Sequence, residues 1–252
     1  MLDNLIIAIP SYKRDFEQLT LDYLERLEFP KSMIYLSVQT EDDYNAYRGK
    51  GIDKRVEKLI YRPGTCISDN RNTLLDAIPE GHYAVMMDDD VKTVGMLRGG
   101  KLEPIETFGG FMQLILKGFS EAARNFTVGF GLYPTDNAYF MSNTISPKCI
   151  VDGMFMGVVN TKARFDPKYK AKEDYEFCCR IIREYGKYVR LNSCAAKAKS
   201  HSKGGCEEVW ADKKGRIEEA LMLCAQYPEL VTMNTKRTTG EVLMRRGLSK
   251  KQ

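Results

Sequence analysis

Three adjacent carboxylates, Asp88-Asp89-Asp90, follow the mostly apolar run His82 to Met87. Uncompensated charges are costly to bury. The triplet therefore reads as a solvated acidic turn, or as hard oxygen donors whose mutual repulsion a divalent cation relieves. Such donors suit Mg²⁺ or Mn²⁺, which usually also bridges substrate phosphates. The strand-like run in front and the apolar Val91 behind favour the cation. His201 lies in Ser200-His201-Ser202-Lys203-Gly204-Gly205. It is a surface residue, or the imidazole of a mixed carboxylate/imidazole site, which suits Mn²⁺ better than Mg²⁺. Lys203 and the glycines after it would let an ammonium and backbone amides approach a phosphate. Glu173-Asp174 opens a helical pattern, either as acids placed against the helix dipole or as a general base for an acceptor hydroxyl. Arg14 and Arg71 carry the forked guanidinium that pairs with phosphate, and Tyr12 can stack on a base. Neither GxGxxG nor GxxxxGK[ST] occurs, which disfavours a dinucleotide fold and a P-loop kinase.

These residues need elements to hold them. Leu5 to Ile9 reads as a buried strand ended by Pro10. Asp15 with Gln18 three positions on reads as a capping box opening a helix that carries Phe16, Leu19, Leu24 and Leu27. Strands are expected at Met33 to Val38, Val56 to Tyr61 and His82 to Met87, with a helix from Cys66 to Ile78. That order points to a mostly parallel sheet with crossover helices. Ligands bind beyond the carboxyl ends of such strands, where Ser11 to Arg14 and Asp88 to Asp90 would both lie. Further on, helices are expected at Phe108 to Ala123, Asp174 to Tyr185 and Glu207 to Gln226. Strands are expected at Thr127 to Leu132, Asp152 to Asn160 and Tyr188 to Asn192, and a loop or hairpin at Thr135 to Lys148.

Composition bounds the class. The 252 residues, 43% hydrophobic and 29% charged, argue for a globular chain rather than disorder or coiled coil. They suit one α/β domain, drawn at 1–233, with a basic tail at 234–252 that holds six Lys or Arg and one Glu. No apolar run approaches the roughly 20 residues of a membrane helix. The opening Met1-Leu2-Asp3-Asn4 lacks a signal peptide's basic region, so a soluble, cytoplasmic protein with no membrane partner is expected. Seven scattered cysteines without a CxxC pair are expected to be reduced thiols, with Cys178 and Cys179 half-buried.

Across roughly 200 residues the segments resemble a GT-A glycosyltransferase. They are Ile7-Ala8-Ile9-Pro10-Ser11-Tyr12-Lys13-Arg14, then Ser68-Asp69-Asn70-Arg71-Asn72, then Met87-Asp88-Asp89-Asp90-Val91 as a DxD motif. Phe165-Asp166 with Glu173-Asp174 follows, and His201 closes the series. The compact DDD-plus-Val form and short chain look most like the TET-associated glycosyltransferases, linked with sugar addition to hydroxymethylated pyrimidines in phage DNA. The resemblance implies a GT-A nucleotide-sugar-binding fold and a UDP-sugar donor. Pro10, Ser11, Tyr12 and Arg14 would hold the nucleotide and Arg71 would meet the base or diphosphate. Asp88, with Asp89 and Lys203, would serve the donor side, and Asp90 and His201 would ligate Mn²⁺ or Mg²⁺. Asp174 or Glu173 would act on the acceptor, as base if the enzyme inverts.

The expected acceptor is 5-hydroxymethylcytosine-type double-stranded DNA, in a host cytoplasm if the chain is phage-encoded. A flipped or loosened base would reach the site, with Asn137 and Tyr139 on an acceptor-side loop and the basic tail on phosphates. The competing readings are a cytoplasmic transferase acting on a polysaccharide, protein or small molecule, a nucleotidyltransferase, and a non-catalytic binding module. Pro10-Ser11-Tyr12-Lys13 is not the glycine-rich loop that a nucleotidyltransferase wants.

Overall fold

The computed structural model describes residues 4–199 and 212–245. Its centre is an eight-stranded sheet in the order β3-β2-β1-β4-β9-β7-β10-β8. The strands are β1 (Leu5–Pro10), β2 (Ile34–Val38), β3 (Lys58–Tyr61), β4 (Tyr83–Met87), β7 (Gly129–Leu132), β8 (Ile145–Ser146), β9 (Phe155–Val159) and β10 (Val189–Leu191). Strands β9 and β8 run against the others. A smaller antiparallel sheet, β11-β5-β6, combines β5 (Val91–Arg98), β6 (Lys101–Pro104) and β11 (Cys194–Ala198).

All six residues of β1 are buried, as expected of a parallel strand covered on both faces. Alternation divides them between two cores. Leu5, Ile7 and Ile9 join Leu21 and Leu24 of α1 (Leu19–Arg26), Tyr47 of α2 (Glu41–Gly49) and Phe111, Leu114 and Ile115 of α4 (Phe108–Arg124). Ile6 and Ala8 join Leu74 and Leu75 of α3 (Ile67–Ala77), Phe177 and Ile181 of α5 (Glu173–Tyr185), and Ala220 and Leu223 of α6 (Lys213–Gln226). The result is an α/β architecture, a mostly parallel mixed sheet between two helical layers. None of its helices is long and apolar enough to cross a membrane, among the described residues.

Four expectations change. Helix α1 begins at Leu19, and neither Asp15 nor Gln18 caps it through a side chain. Residues 11–18 form a loop instead, and Phe16 is exposed. Helix α2 was not expected, and the β5–β6 hairpin and β11 were not either. Cys178 and Cys179 are fully buried rather than half-buried. Finally, the tail drawn from 234 starts inside a hairpin: β12 (Val231–Met233) pairs with β13 (Val242–Met244), and Val242 packs into the second core. The last expected helix is seen from Lys213, its earlier residues lying outside those described.

Candidate active site at the β1/β4 switch point

Strand β1 has β2 on one side and β4 on the other. The chain runs from β1 out to β3 before returning to add β4, so the order reverses between β1 and β4. A crevice opens at the carboxyl ends of such strands. Ser11 directly follows β1 and Asp88 directly follows β4, so the two expected segments do meet there.

The triplet is not three equivalent donors. Asp89 is buried, accepts a hydrogen bond from Ser11 Oγ and pairs with Arg14 Nη1 at 3.0 Å. Ser11 Oγ lies 2.7 Å from Tyr47 Oη, which also accepts the Arg14 N–H at 3.0 Å. Burial pushes the Asp89 carboxyl up to about 7, with Arg14 and Ser11 pulling the other way. Asp88 and Asp90 keep 34% and 19% of their side-chain surface. Asp90 shares Arg14 Nη1 at 3.0 Å, and burial followed by the Asp88 charge raises its carboxyl. Thr20, in the first turn of α1, fastens the turn: its Oγ1 donates to the Asp88 carbonyl and accepts the Val91 N–H at 3.0 Å. The loop that looked like a helix cap thus holds the triplet. Gln18 Nε2 turns back to the Arg14 carbonyl at 2.8 Å.

Arg71 is 2% exposed on α3. Its Nη2 donates to Asp88 Oδ1 at 2.9 Å and lies 3.7 Å from Glu173 Oε1, while Nη1 donates to the Gly153 carbonyl at 2.9 Å. Arg71 thus has internal partners at this edge of the sheet. Arg71 positions Asp88 against the start of α5. A Cβ at Gly153 would come 2.5 Å from Arg71 Nη2, so the close approach requires glycine.

Glu173 and Asp174 form the first turn of α5, where the helix dipole favours acids. Asp174 Oδ2 accepts the Gly153 N–H at 2.9 Å and Oδ1 the Tyr175 N–H at 2.8 Å. Burial raises both carboxyls; Asp174 raises Glu173 further and Arg71 restrains both. Asp152, which the sequence reading placed in a strand, belongs to the same group. It precedes β9, whose reversed direction brings its amino end to this edge of the sheet. Burial and then Asp174 raise its carboxyl. An Asp-Gly pair directly ahead of an apolar strand was the available signal.

Six carboxylates (Asp88, Asp89, Asp90, Asp152, Glu173 and Asp174) border the crevice, and their ion pairs among the described residues are with Arg14 and Arg71. No three His, Cys, Asp or Glu side chains converge as a ready-made ligand set among the described residues. One or two carboxylates plus substrate phosphates suffice for Mg²⁺-like binding, and the more open Asp88 and Asp90 supply donors of that chemistry. Arg14 Nε and Gln18 Oε1 are buried without a hydrogen-bond partner among the described residues. His201 and Lys203 lie outside the described residues. Lys199, two positions before His201, donates its N–H to the Asp90 carbonyl at 3.2 Å. Pro10 is buried at the end of β1, and Tyr12 is half-buried with Lys13 Nζ 4.8 Å above its ring. Asn137 caps a short 3-10 turn, Ala138–Phe140, on which Tyr139 is 87% exposed. The hydrogen bonds of Asn137 among the described residues stay within this loop, with Thr135, Tyr139 and Phe140.

In comparisons with known proteins, the chain matches no family model and no curated protein.

Proposed function

We propose that this chain is a metal-dependent glycosyltransferase of the GT-A kind, moving a sugar from a UDP-sugar to the hydroxymethyl group of a modified pyrimidine in DNA. The observation that carries the reading is the division of labour within the triplet. Asp89 is turned inward and locked by Ser11 and Arg14, which leaves Asp88 and Asp90 as the two open carboxylates at the switch point. That is a D-x-D presentation built by tertiary contacts.

In this reading the loop Ser11 to Arg14 borders the nucleotide and Asp88 the ribose or donor sugar. Asp90, with His201, would hold the divalent cation; Lys199, two positions before His201, donates its N–H to the Asp90 carbonyl. A cation bound there supplies charge neutralisation for the leaving diphosphate. Arg71 keeps Asp88 and Glu173 in fixed relation. A neighbouring buried carboxylate takes the proton of the acceptor hydroxyl while the sugar passes through an oxocarbenium-like state. The exposed Tyr139 and Phe140, edge-to-face at 5.1 Å, offer stacking surface for an unpaired base.

The test is UDP release from a panel of UDP-sugars with Mn²⁺, with and without hydroxymethylcytosine duplex. Release that requires the modified DNA supports the whole reading. Release indifferent to DNA moves the acceptor to a polysaccharide, protein or small molecule. Absence of UDP binding, or full activity in Asp90→Ala, removes the assignment.

A further inference from the structure

We infer that Asp152 is the residue that takes the acceptor's proton, and that the acceptor group is an unhindered primary hydroxyl. This rests on the transferase reading above. Three carboxylates border the crevice outside the triplet, and their surroundings differ. Both oxygens of Asp174 hold backbone N–H groups. Glu173 is 8% exposed and faces Arg71. The Asp152 side chain makes one hydrogen bond among the described residues, from the Met154 N–H to Oδ1 at 2.8 Å, and it lines a niche that the other two do not.

The niche is walled by Leu132, Tyr133, Met154, Phe155 and Ala196, and Asp152 is the one carboxylate in its lining. Its room for a water-sized guest is about 10 Å³, close to one water or hydroxyl. A terminal –CH₂OH suits such a slot: the slim carbon meets apolar walls and the oxygen meets Asp152. A branched secondary alcohol carries a methyl for which so small a slot leaves little room.

Asp152 is also tied to the donor side. The Asp88 N–H donates to the Met154 carbonyl at 3.3 Å, and Arg71 and Asp174 hold the intervening Gly153 from two helices. The acceptor end and the first aspartate of the triplet are thus parts of one stitched loop. In the reaction, the acceptor oxygen bonds to the anomeric carbon as that carbon's bond to the diphosphate oxygen breaks. The diphosphate departs with the electron pair, and the hydroxyl proton passes to an Asp152 oxygen. The charged and titratable groups around Asp152 are Asp174 and Tyr175 of α5, Asp88 after β4, Arg71 of α3 and Tyr133, which follows β7 and shares the niche. Burial and the Asp174 charge raise its carboxyl from the ordinary range, toward the neutral values that suit a general base.

Asp152→Asn preserves the acceptor for Met154 N–H, so the loop keeps its bond. With UDP-sugar, Mn²⁺ and hydroxymethylcytosine duplex, the variant is expected to bind UDP within about threefold of wild type by calorimetry. Its transfer rate should fall by about 10²–10⁴-fold, the range of general-base removal. The acid limb of the kcat/KM pH profile should vanish with it. In Asp152→Ala, added formate should restore part of the rate, which it would not do for a purely structural residue. DNA bearing 5-(1-hydroxyethyl)cytosine, a secondary alcohol, should not be glycosylated. Transfer by Asp152→Asn within threefold of wild type overturns the role of Asp152 while leaving the transferase reading in place. Equal use of the secondary alcohol overturns the primary-hydroxyl assignment. Wild-type protein that neither binds UDP nor releases it overturns both readings together.

Discussion

At the scale of single residues, the site is held by charges that depend on one another. Arg71 sits between Asp88, Glu173 and the Gly153 carbonyl with 2% of its surface exposed. Removing one partner of a buried ion pair leaves the other charge uncompensated, typically at a cost of about 3–5 kcal/mol. Arg71→Met should therefore lose stability of that order in urea unfolding, even though methionine fills much of the same space. A loss under about 1 kcal/mol would show that Arg71 is not the clamp described here. Asp152 makes the opposite prediction. Its folded carboxyl is raised above the unfolded value, so its contribution to stability is fully present below the ordinary carboxylate range near pH 4 and is lost as pH rises through the raised folded value. Asp152→Asn removes that loss. Its melting temperature should exceed wild type by about 2–4 °C at pH 8, equivalent to about 1 kcal/mol for a chain this size, and match it at pH 4. A gain equal at both pH values would point to packing instead. Asp88, Asp90 and Glu173-Asp174 were legible in the sequence because acids beside apolar runs stand out. Asp152 was not, because an Asp-Gly pair before a strand is ordinary turn chemistry. Its meaning comes from reversal of β9 and from Arg71, 82 positions from Gly153.

At the scale of elements, apolar periodicity located β1, β2, β4, α3, α4 and α5 to within a few residues, since each buries a defined face. It failed where polar residues carried the information. Asp15 and Gln18 have capping-box spacing, but Gln18 turns back to the Arg14 carbonyl and the helix starts after it. Tertiary demand at the binding loop overrides the local motif. Helix α2 is rich in acids and was hidden by low hydrophobicity, yet its Tyr47 is fully buried and orders Ser11 and Arg14. Helix α4 offers a direct test of how elements are packed. A Cβ on Gly118 would lie 2.1 Å from the Phe130 ring of β7. Gly118→Ala gains about 0.8–1.0 kcal/mol of helix propensity, but overpacking costs about 1–3 kcal/mol. The variant should be net destabilised in thermal melts, and a more stable protein would mean that Phe130 has room to move.

At the scale of the whole molecule, acids gather at the carboxyl edge of the sheet while six basic residues fall between 234 and 252. The sequence reading treated that basic stretch as one tail, but its parts have different physical roles. Val242 to Met244 pairs with Val231 to Met233, Arg245 N–H donates to the Leu230 carbonyl at 2.7 Å, and Gly240 takes φ +77° where a Cβ would meet the Arg216 carbonyl at 2.8 Å. Ending the chain after Met233 removes β13 and the buried Val242, whose side chain alone contributes about 1.5–3 kcal/mol. That truncation should lower the melting temperature by several degrees. Ending it after Arg245 keeps the hairpin and removes Arg246, Lys250 and Lys251. If those three cations lie on DNA phosphates, the slope of log affinity against log salt should become shallower by up to about 3. An unchanged slope would move the DNA contact onto the folded domain, where the exposed Tyr139–Phe140 pair and the loop around it would then have to supply it.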